Sequence, residues 1–232
     1  MSPTEGVLSE AWNLYKAHWQ HFVTIALVVF ATVAVISLLL ALVLEGWAAA
    51  ILIALVSLVA TFWLQGALVK AVDDVRDGRA DLSFAETFGS VRPHLVAIIV
   101  AGIVAAIAIT IGFLLLIAPG LLLLTWWILI VPVIVIEGRG AGESFGRSRE
   151  LVSGYGWRVL GVILLTILIL FGFRIVLELV LFPLSNAVQS FVTELVVGTV
   201  ATPFAVIAWT LLYFRLRRAK EAPAPAAPEP AV

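Results

Sequence analysis

The stretch FVTIALVVFATVAVISLLLALVLEGWAAAILIALVSLVATFWLQGALV, residues 22–69, contains a single formal charge, Glu45. On either side of Glu45-Gly46 lie two uncharged runs of 23 residues, 22–44 and 47–69. A helix needs about 20 mostly apolar residues to cross a bilayer, because no water inside satisfies backbone N–H and C=O groups. Both runs meet that length, so the stretch reads as two spans joined by a tight turn. Residues 95–117 form a third span, ending at the turn signal Ala118-Pro119-Gly120. Residues 121–136 form a fourth, short at 16 residues and interrupted by Pro132. Residues 159–182 and 191–213 complete the set, and both carry charges inside the apolar run.

Composition agrees with six spans. Of 232 residues, 62% are hydrophobic and 12% charged, against about 45–50% and about 25% in a soluble domain. Mean hydropathy is +1.14. The absence of cysteine excludes disulfides, thiolate nucleophiles and thiolate metal sites, and a net charge of −1 argues against nucleic acid as a partner. The longest stretch between spans, residues 70–94, has 25 residues, below the roughly 40 at which an unaided domain becomes plausible. The expected organisation is a membrane domain over residues 1–218 and a disordered Ala/Pro-rich tail over 219–232.

Lys and Arg set the orientation. Thirteen of the fourteen fall on one side: Lys16 before the first span, four in 70–94, four in 137–158 and four after the sixth span. The fourteenth, Arg174, lies within the fifth span. Both termini are therefore expected in the cytoplasm. Ala48-Ala49-Ala50 superficially suits a signal-peptide cleavage site, but the preceding apolar run is too long and its leader is not basic.

A short amphipathic segment precedes the first, third and fifth spans. The stripes are Leu8, Ala11, Trp12, Tyr15, Trp19 and Phe22; then Phe84, Phe88, Val91 and Leu95; then Phe145, Ser148, Val152 and Tyr155. Ser83-Phe84-Ala85-Glu86 reads as a capping box. Glu10-Ala11-Trp12, Glu86-Thr87-Phe88 and Glu143-Ser144-Phe145 recur at matching places. The expected fold is an all-α membrane protein of six helices in three hairpins, each preceded by a cytoplasmic interfacial helix, in a pseudo-threefold repeat.

These signposts carry a resemblance. Ser83-Phe84-Ala85-Glu86-Thr87-Phe88, Ala118-Pro119-Gly120, Trp126 through Pro132 and Val135-Ile136-Glu137-Gly138 belong to it. So do Gly146-Arg147-Ser148-Arg149-Glu150-Leu151-Val152 and Gly156-Trp157-Arg158, with Glu10-Ala11-Trp12 near the start. Together they resemble the membrane domain of bacterial membrane-anchored glycerophosphodiester phosphodiesterases. In those enzymes the chemistry resides in a separate catalytic domain after the membrane domain. Only 19 residues follow the sixth span here, so the resemblance implies a membrane module without that activity.

Charges within spans are the candidate functional groups, since burying them in hydrocarbon is costly. Arg174 and Glu178 sit four apart on one helix face. Glu194 enters the sixth span at a similar depth and Glu45 caps the first outer turn, so one arginine and up to three carboxylates can gather in the outer leaflet. Such a cluster is either a polar pocket for a headgroup, ion or proton, or an ion pair whose arginine snorkels to the interface. On the basic side, Arg147, Arg149 and Arg158 are candidate contacts for anionic lipid, and they also set topology. His18 and His21 are three apart, but no carboxylate or thiolate set accompanies them, so no metal is expected. Gly138-Arg139-Gly140-Ala141-Gly142 matches no phosphate-binding fingerprint. Pro132 and Pro203 can open their helices. The small residues Ala97, Ala101, Gly102, Ala105, Ala106 and Gly112 suggest that the third span occupies the bundle centre. No catalytic residue and no cofactor emerge. The expectation is a non-enzymatic membrane module that organises lipid or scaffolds a membrane-protein partner, with a small transporter or channel using the outer charges as the alternative.

Overall fold

A computed structural model describes residues 3–44, 46–76 and 82–221. Glu45 and the tail from residue 222 lie outside them. The described residues form helices and no strand: α1 (Val7–Ala17), α2 (Trp19–Val43), α3 (Gly46–Val75), α4 (Phe84–Val91), α5 (Leu95–Leu115), α6 (Ile117–Trp127), α7 (Ile130–Glu137), α8 (Ala141–Val152), α9 (Gly156–Val180), α10 (Asn186–Val196) and α11 (Thr202–Glu221). Six helical stretches are long and apolar enough to cross a membrane: Trp19–Val43, Gly46–Val75, Phe84–Leu115, Ile117–Glu137, Gly156–Val180 and Val188–Glu221.

Three details differ from the sequence reading, and each has a local cause. The chain reverses at Leu116, which is extended, and Ala118-Pro119-Gly120 lies inside the first turn of α6. Proline is accepted there because first-turn N–H groups have no intrahelical partner. Gly112 and Gly120 permit the close approach of α5 to α6: a Cβ on Gly112 would lie 3.0 Å from the Gly120 Cα, and one on Gly120 would lie 2.4 Å from the Phe113 ring. The fourth span is two helices, and the break falls at Ile128-Leu129 rather than at Pro132. Pro132 has no N–H to donate to the Ile128 carbonyl and its ring crowds that carbonyl, so the interruption appears one turn upstream. The sixth stretch is likewise composite. A π-helical turn, Val197–Ala201, precedes α11, with Pro203 at its second position. The Thr202 N–H reaches Val197 five residues back, as a helix does when proline interrupts its regular ladder.

The third correction concerns the centre of the bundle. In the 18-residue apolar segment of the stretch containing α5, 22% of residues are buried; in that of the stretch containing α11, 67% are. The small residues of α5 serve one contact face, where Ile98, Ala101, Ala105 and Gly112 are buried, while Val96 and Leu114 are exposed. By contrast, α11 packs against α1, α2, α3, α7, α8 and α9.

Burial is concentrated at one end. The main core joins the start of α2 (Phe22, Ile25), the end of α3 (Leu64–Val75), the start of α9 (Val159, Ile163) and the length of α11 with the inner edge of α1. At the other end, Leu42, Leu114 and Phe182 are each at least 75% exposed. The short helices close the packed end. In α1 the buried residues are Val7, Ala11 and Tyr15, while Trp12 and Trp19 of the expected stripe are exposed. The Tyr15 hydroxyl donates to the Val200 carbonyl at 3.0 Å, within the π-helical turn. In α4 both bonds of the Ser83–Glu86 capping box form, and the Trp63 indole of α3 donates to the Phe88 carbonyl at 3.3 Å. In α8 the Ser148 hydroxyl donates to the Trp126 carbonyl at 2.6 Å. Gly138, in the left-handed region with φ 66°, ends α7 so that α8 can turn back onto it.

Gly120→Leu is expected to cost about 1–3 kcal/mol by overpacking against Phe113. Its thermal midpoint in detergent falls by several degrees, whereas Gly161→Ala, where a Cβ meets nothing within 4 Å, causes no fall.

Candidate functional site

Polar side chains collect at both ends of the helices. At the loosely packed end, Arg174 of α9 donates from Nε to Glu178 at 2.9 Å and from a terminal nitrogen to Glu194 of α10 at 2.8 Å. The Gln189 amide donates to the Glu178 backbone carbonyl at 3.0 Å. Three of the four expected outer charges therefore meet, and Glu45 lies outside the described residues. The cluster fastens α10 to α9, and its side chains are 41% to 65% exposed. One arginine answering two carboxylates leaves the cluster with a surplus negative charge.

At the packed end, Glu137, which was not among the candidates read from the sequence, is the hub of a larger network. Its carboxylate accepts from Arg139 Nε at 2.7 Å, from Arg147 Nε at 3.1 Å and from the Tyr213 hydroxyl at 3.0 Å. Arg147 also donates to Glu150 and to Glu221, at 3.2 and 2.6 Å. Arg217 joins Tyr213 to Glu221. Glu137 and Arg147 side chains are only 8% and 12% exposed. Burial opposes the Arg147 charge, but hydrogen bonds to Glu137, Glu150 and Glu221 outweigh it and raise the guanidinium pKa. The network clamps the end of α7, α8 and α11 together. A second tie runs from Arg215 of α11 to Glu10 of α1, Nε to Oε2 at 2.9 Å.

One signal for this hub was present in the sequence. Glu137 ends an apolar helix, where a carboxylate opposes the helix dipole and requires cationic partners. Arg139 and Arg147 are the nearest ones.

The three expected lipid-contact arginines divide. Arg147 is enclosed by carboxylates. Arg149 is exposed and lies over the Trp126 ring, 4.2 Å from its centroid. Arg158 is exposed beside Trp157, which is 88% exposed. Trp126 and Arg158 line a groove of about 760 Å³ between α6 and the start of α9. Leu121, Leu122 and Thr125 continue it along α6, and Gly154-Tyr155-Gly156-Trp157 form its other wall. The arrangement is a largely apolar trough of roughly two helical turns with the Arg158 guanidinium in its lining, suited to an acyl chain and an anionic headgroup. His18 Nδ1 and His21 Nε2 are buried without hydrogen-bond partners, and the His21 ring stacks on Phe84. Among the described residues no group of three metal-ligating side chains comes together.

No known family, curated protein or solved structure matches this chain.

Arg147→Ala removes one of the two guanidinium partners of the poorly exposed Glu137 and is expected to cost about 1–3 kcal/mol, visible as a lower thermal midpoint and reduced yield. Arg174→Ala is expected to do less damage than Arg147→Ala. It is also expected to do more than the double change with Glu178→Ala; equal thermal losses in the single and double variants would refute a direct Arg174–Glu178 pair.

Proposed function

We propose that the chain is a non-enzymatic module of the bacterial inner membrane that organises anionic lipid at the cytoplasmic leaflet. The observation that carries this reading is the groove along α6, lined by Trp157 and Arg158, with Arg149 over the ring of its lining residue Trp126. An apolar trough attracts an acyl chain. Guanidinium groups next to interfacial tryptophans attract a phosphate at headgroup depth. Pairing of Glu137 with Arg147 at one end, and of Arg174 with Glu178 and Glu194 at the other, supports a structural role for these charges rather than a general acid or base.

The topology follows the same reading. The basic, tightly packed end faces the cytoplasm with both termini, in keeping with the Lys/Arg distribution. The six spans form three hairpins, and α1, α4 and α8 are interfacial helices of a threefold repeat. Its support is that each of the three precedes a long apolar helix and buries one edge at the packed end. The resemblance to the phosphodiesterase membrane domain belongs to this proposal as a likeness of module, without the catalytic activity. The surplus carboxylate beside Arg174 is the one observation favouring the alternative, a small transporter or channel. Solute flux in liposomes, lost in Glu194→Gln, would establish it in place of lipid organisation.

Two experiments test the reading. Native mass spectrometry of the chain with limiting equimolar phosphatidylglycerol and phosphatidylcholine is expected to show preferential retention of phosphatidylglycerol. That preference falls at least five-fold in Arg149→Gln/Arg158→Gln; an unchanged preference refutes the groove. The cysteine-free sequence also permits single-cysteine labelling. An impermeant maleimide is expected to reach Asn186→Cys in intact cells, and Arg139→Cys only after the membrane is opened.

A further inference from the structure

The sequence after α11 reads Ala222-Pro223-Ala224-Pro225-Ala226-Ala227-Pro228-Glu229-Pro230-Ala231-Val232, outside the described residues. Proline fixes φ near −65° and carries no N–H, so a run with four prolines favours polyproline II. That conformation has three residues per turn, which puts Pro225 and Pro228 on one face. It makes no internal hydrogen bonds, so its carbonyls take donors from their surroundings. One acid, Glu229, follows Pro228 directly.

Proline-rich segments of this spacing dock in grooves walled by aromatic rings. The groove between α6 and α9 has that chemistry at one end. Trp126, Tyr155 and Trp157 supply three aromatic side chains, and Arg158 supplies a cation. The tyrosine hydroxyl and the indole N–H groups are donors of the kind that carbonyls require. Gly154 and Gly156 complete the wall without side chains, and a Cβ at either would meet nothing within 4 Å. A backbone can therefore lie close against it.

The tether has the right length. Glu221, the last residue of α11, accepts from Arg147 of α8 at 2.6 Å. Arg149, two residues further along α8, covers the groove residue Trp126. From the Arg147 side to the Trp126 side is half way around α8, roughly 15 Å for a helix about 10 Å across. At about 3.1 Å per residue, the chain beyond Glu221 reaches about 12 Å at Pro225 and about 22 Å at Pro228. The proline pair brackets the distance. A tether this short gives an effective concentration on the order of 1 mM, so a contact with a dissociation constant of ~0.1 mM covers the groove about 90% of the time.

We propose that residues 225–229 dock in the aromatic end of this groove and compete there with the anionic headgroup. Pro225 and Pro228 pack on the rings and Glu229 pairs with Arg158. The competition rests on the lipid reading of the groove, whereas the docking does not. Lipid then binds only the uncovered fraction of molecules, which lowers its apparent affinity about ten-fold.

The cysteine-free full chain permits a direct test in detergent. Ser153→Cys/Ala227→Cys places thiols beside the groove and on the tail. Asn13→Cys/Ala227→Cys is the reference for reach without docking, since α1 is joined through Glu10 to Arg215 near the root of the tail. Intramolecular disulfide formation in the first pair is expected to be at least about five-fold faster than in the reference. Adding Pro225→Ala/Pro228→Ala/Glu229→Gln should bring it to the reference rate, and phosphatidylglycerol, but not phosphatidylcholine, should slow it. In native mass spectrometry the same triple change, made without the cysteines, should strengthen phosphatidylglycerol binding about ten-fold. Disulfide formation at the reference rate, or only between two chains, overturns the docking. Unchanged phosphatidylglycerol affinity in the triple variant overturns the competition. Absence of any phosphatidylglycerol preference in both wild type and the triple variant refutes the lipid reading itself, and the disulfide rates then decide the docking alone.

Discussion

Lipid tails are as apolar as leucine, so apolarity cannot decide which face of a membrane helix turns inward. The arrangement of this bundle follows from that constraint. The 18-residue apolar segment of Trp19–Val43 has a mean hydropathy of 3.0 and is 11% buried; that of Val188–Glu221 has 2.0 and is 67% buried. In water the order would be reversed. Here the helix bearing Thr210, Tyr213 and Arg217 goes to the middle because its polar groups need partners that lipid cannot supply. Close backbone approach, as at Gly112 and Gly120, and side-chain clasps such as Glu137–Arg147–Tyr213 hold the bundle together.

The same constraint gives the prolines their meaning. A carbonyl deprived of its amide inside a membrane must find another donor or face a cavity. Near Pro203 the backbone widens to a π-helical turn, and Tyr15 of α1 donates to the Val200 carbonyl in that turn. Near Pro132 the helix divides, and the break at Ile128 borders a cavity. One interruption is therefore used to attach a surface helix, and the other borders an internal space.

The spans were legible because backbone satisfaction in lipid leaves a long apolar helix as almost the only solution, and length alone marks it. The capping box at Ser83 was legible because it is local, four residues with reciprocal bonds. The position of α11 was not, since the small residues of α5 are a stronger pattern than the scattered polar residues of α11. The Arg174–Glu178 pair could be read from spacing on one helix, whereas its connection to Glu194 required α10 to fold back on α9. Glu137, Tyr213 and Glu221 are separated by 76 and 8 residues along the chain, and no periodicity joins them.

The basic residues on the α8–α9 side show why a topology signal is not a binding signal. Arg147, Arg149 and Arg158 contribute equally to the positive-inside count, and in sequence they are equivalent candidates for lipid phosphate. Their neighbours separate them. Arg147 comes against the C-terminal end of α7, where Glu137 already opposes the helix dipole, so its guanidinium is committed to holding α7, α8 and α11. Arg149 lies two residues on, about 200° around α8, on Trp126, and Arg158 stands at the start of α9. Arg158 lines the groove and Arg149 covers Trp126, one of its lining residues, while Glu137 is paired with Arg139 and Arg147. The interior acid takes Arg139 as well as Arg147, and the lipid-binding reading of the groove therefore rests on Arg149 and Arg158, while Arg147 belongs to the network that holds the packed end of the bundle together.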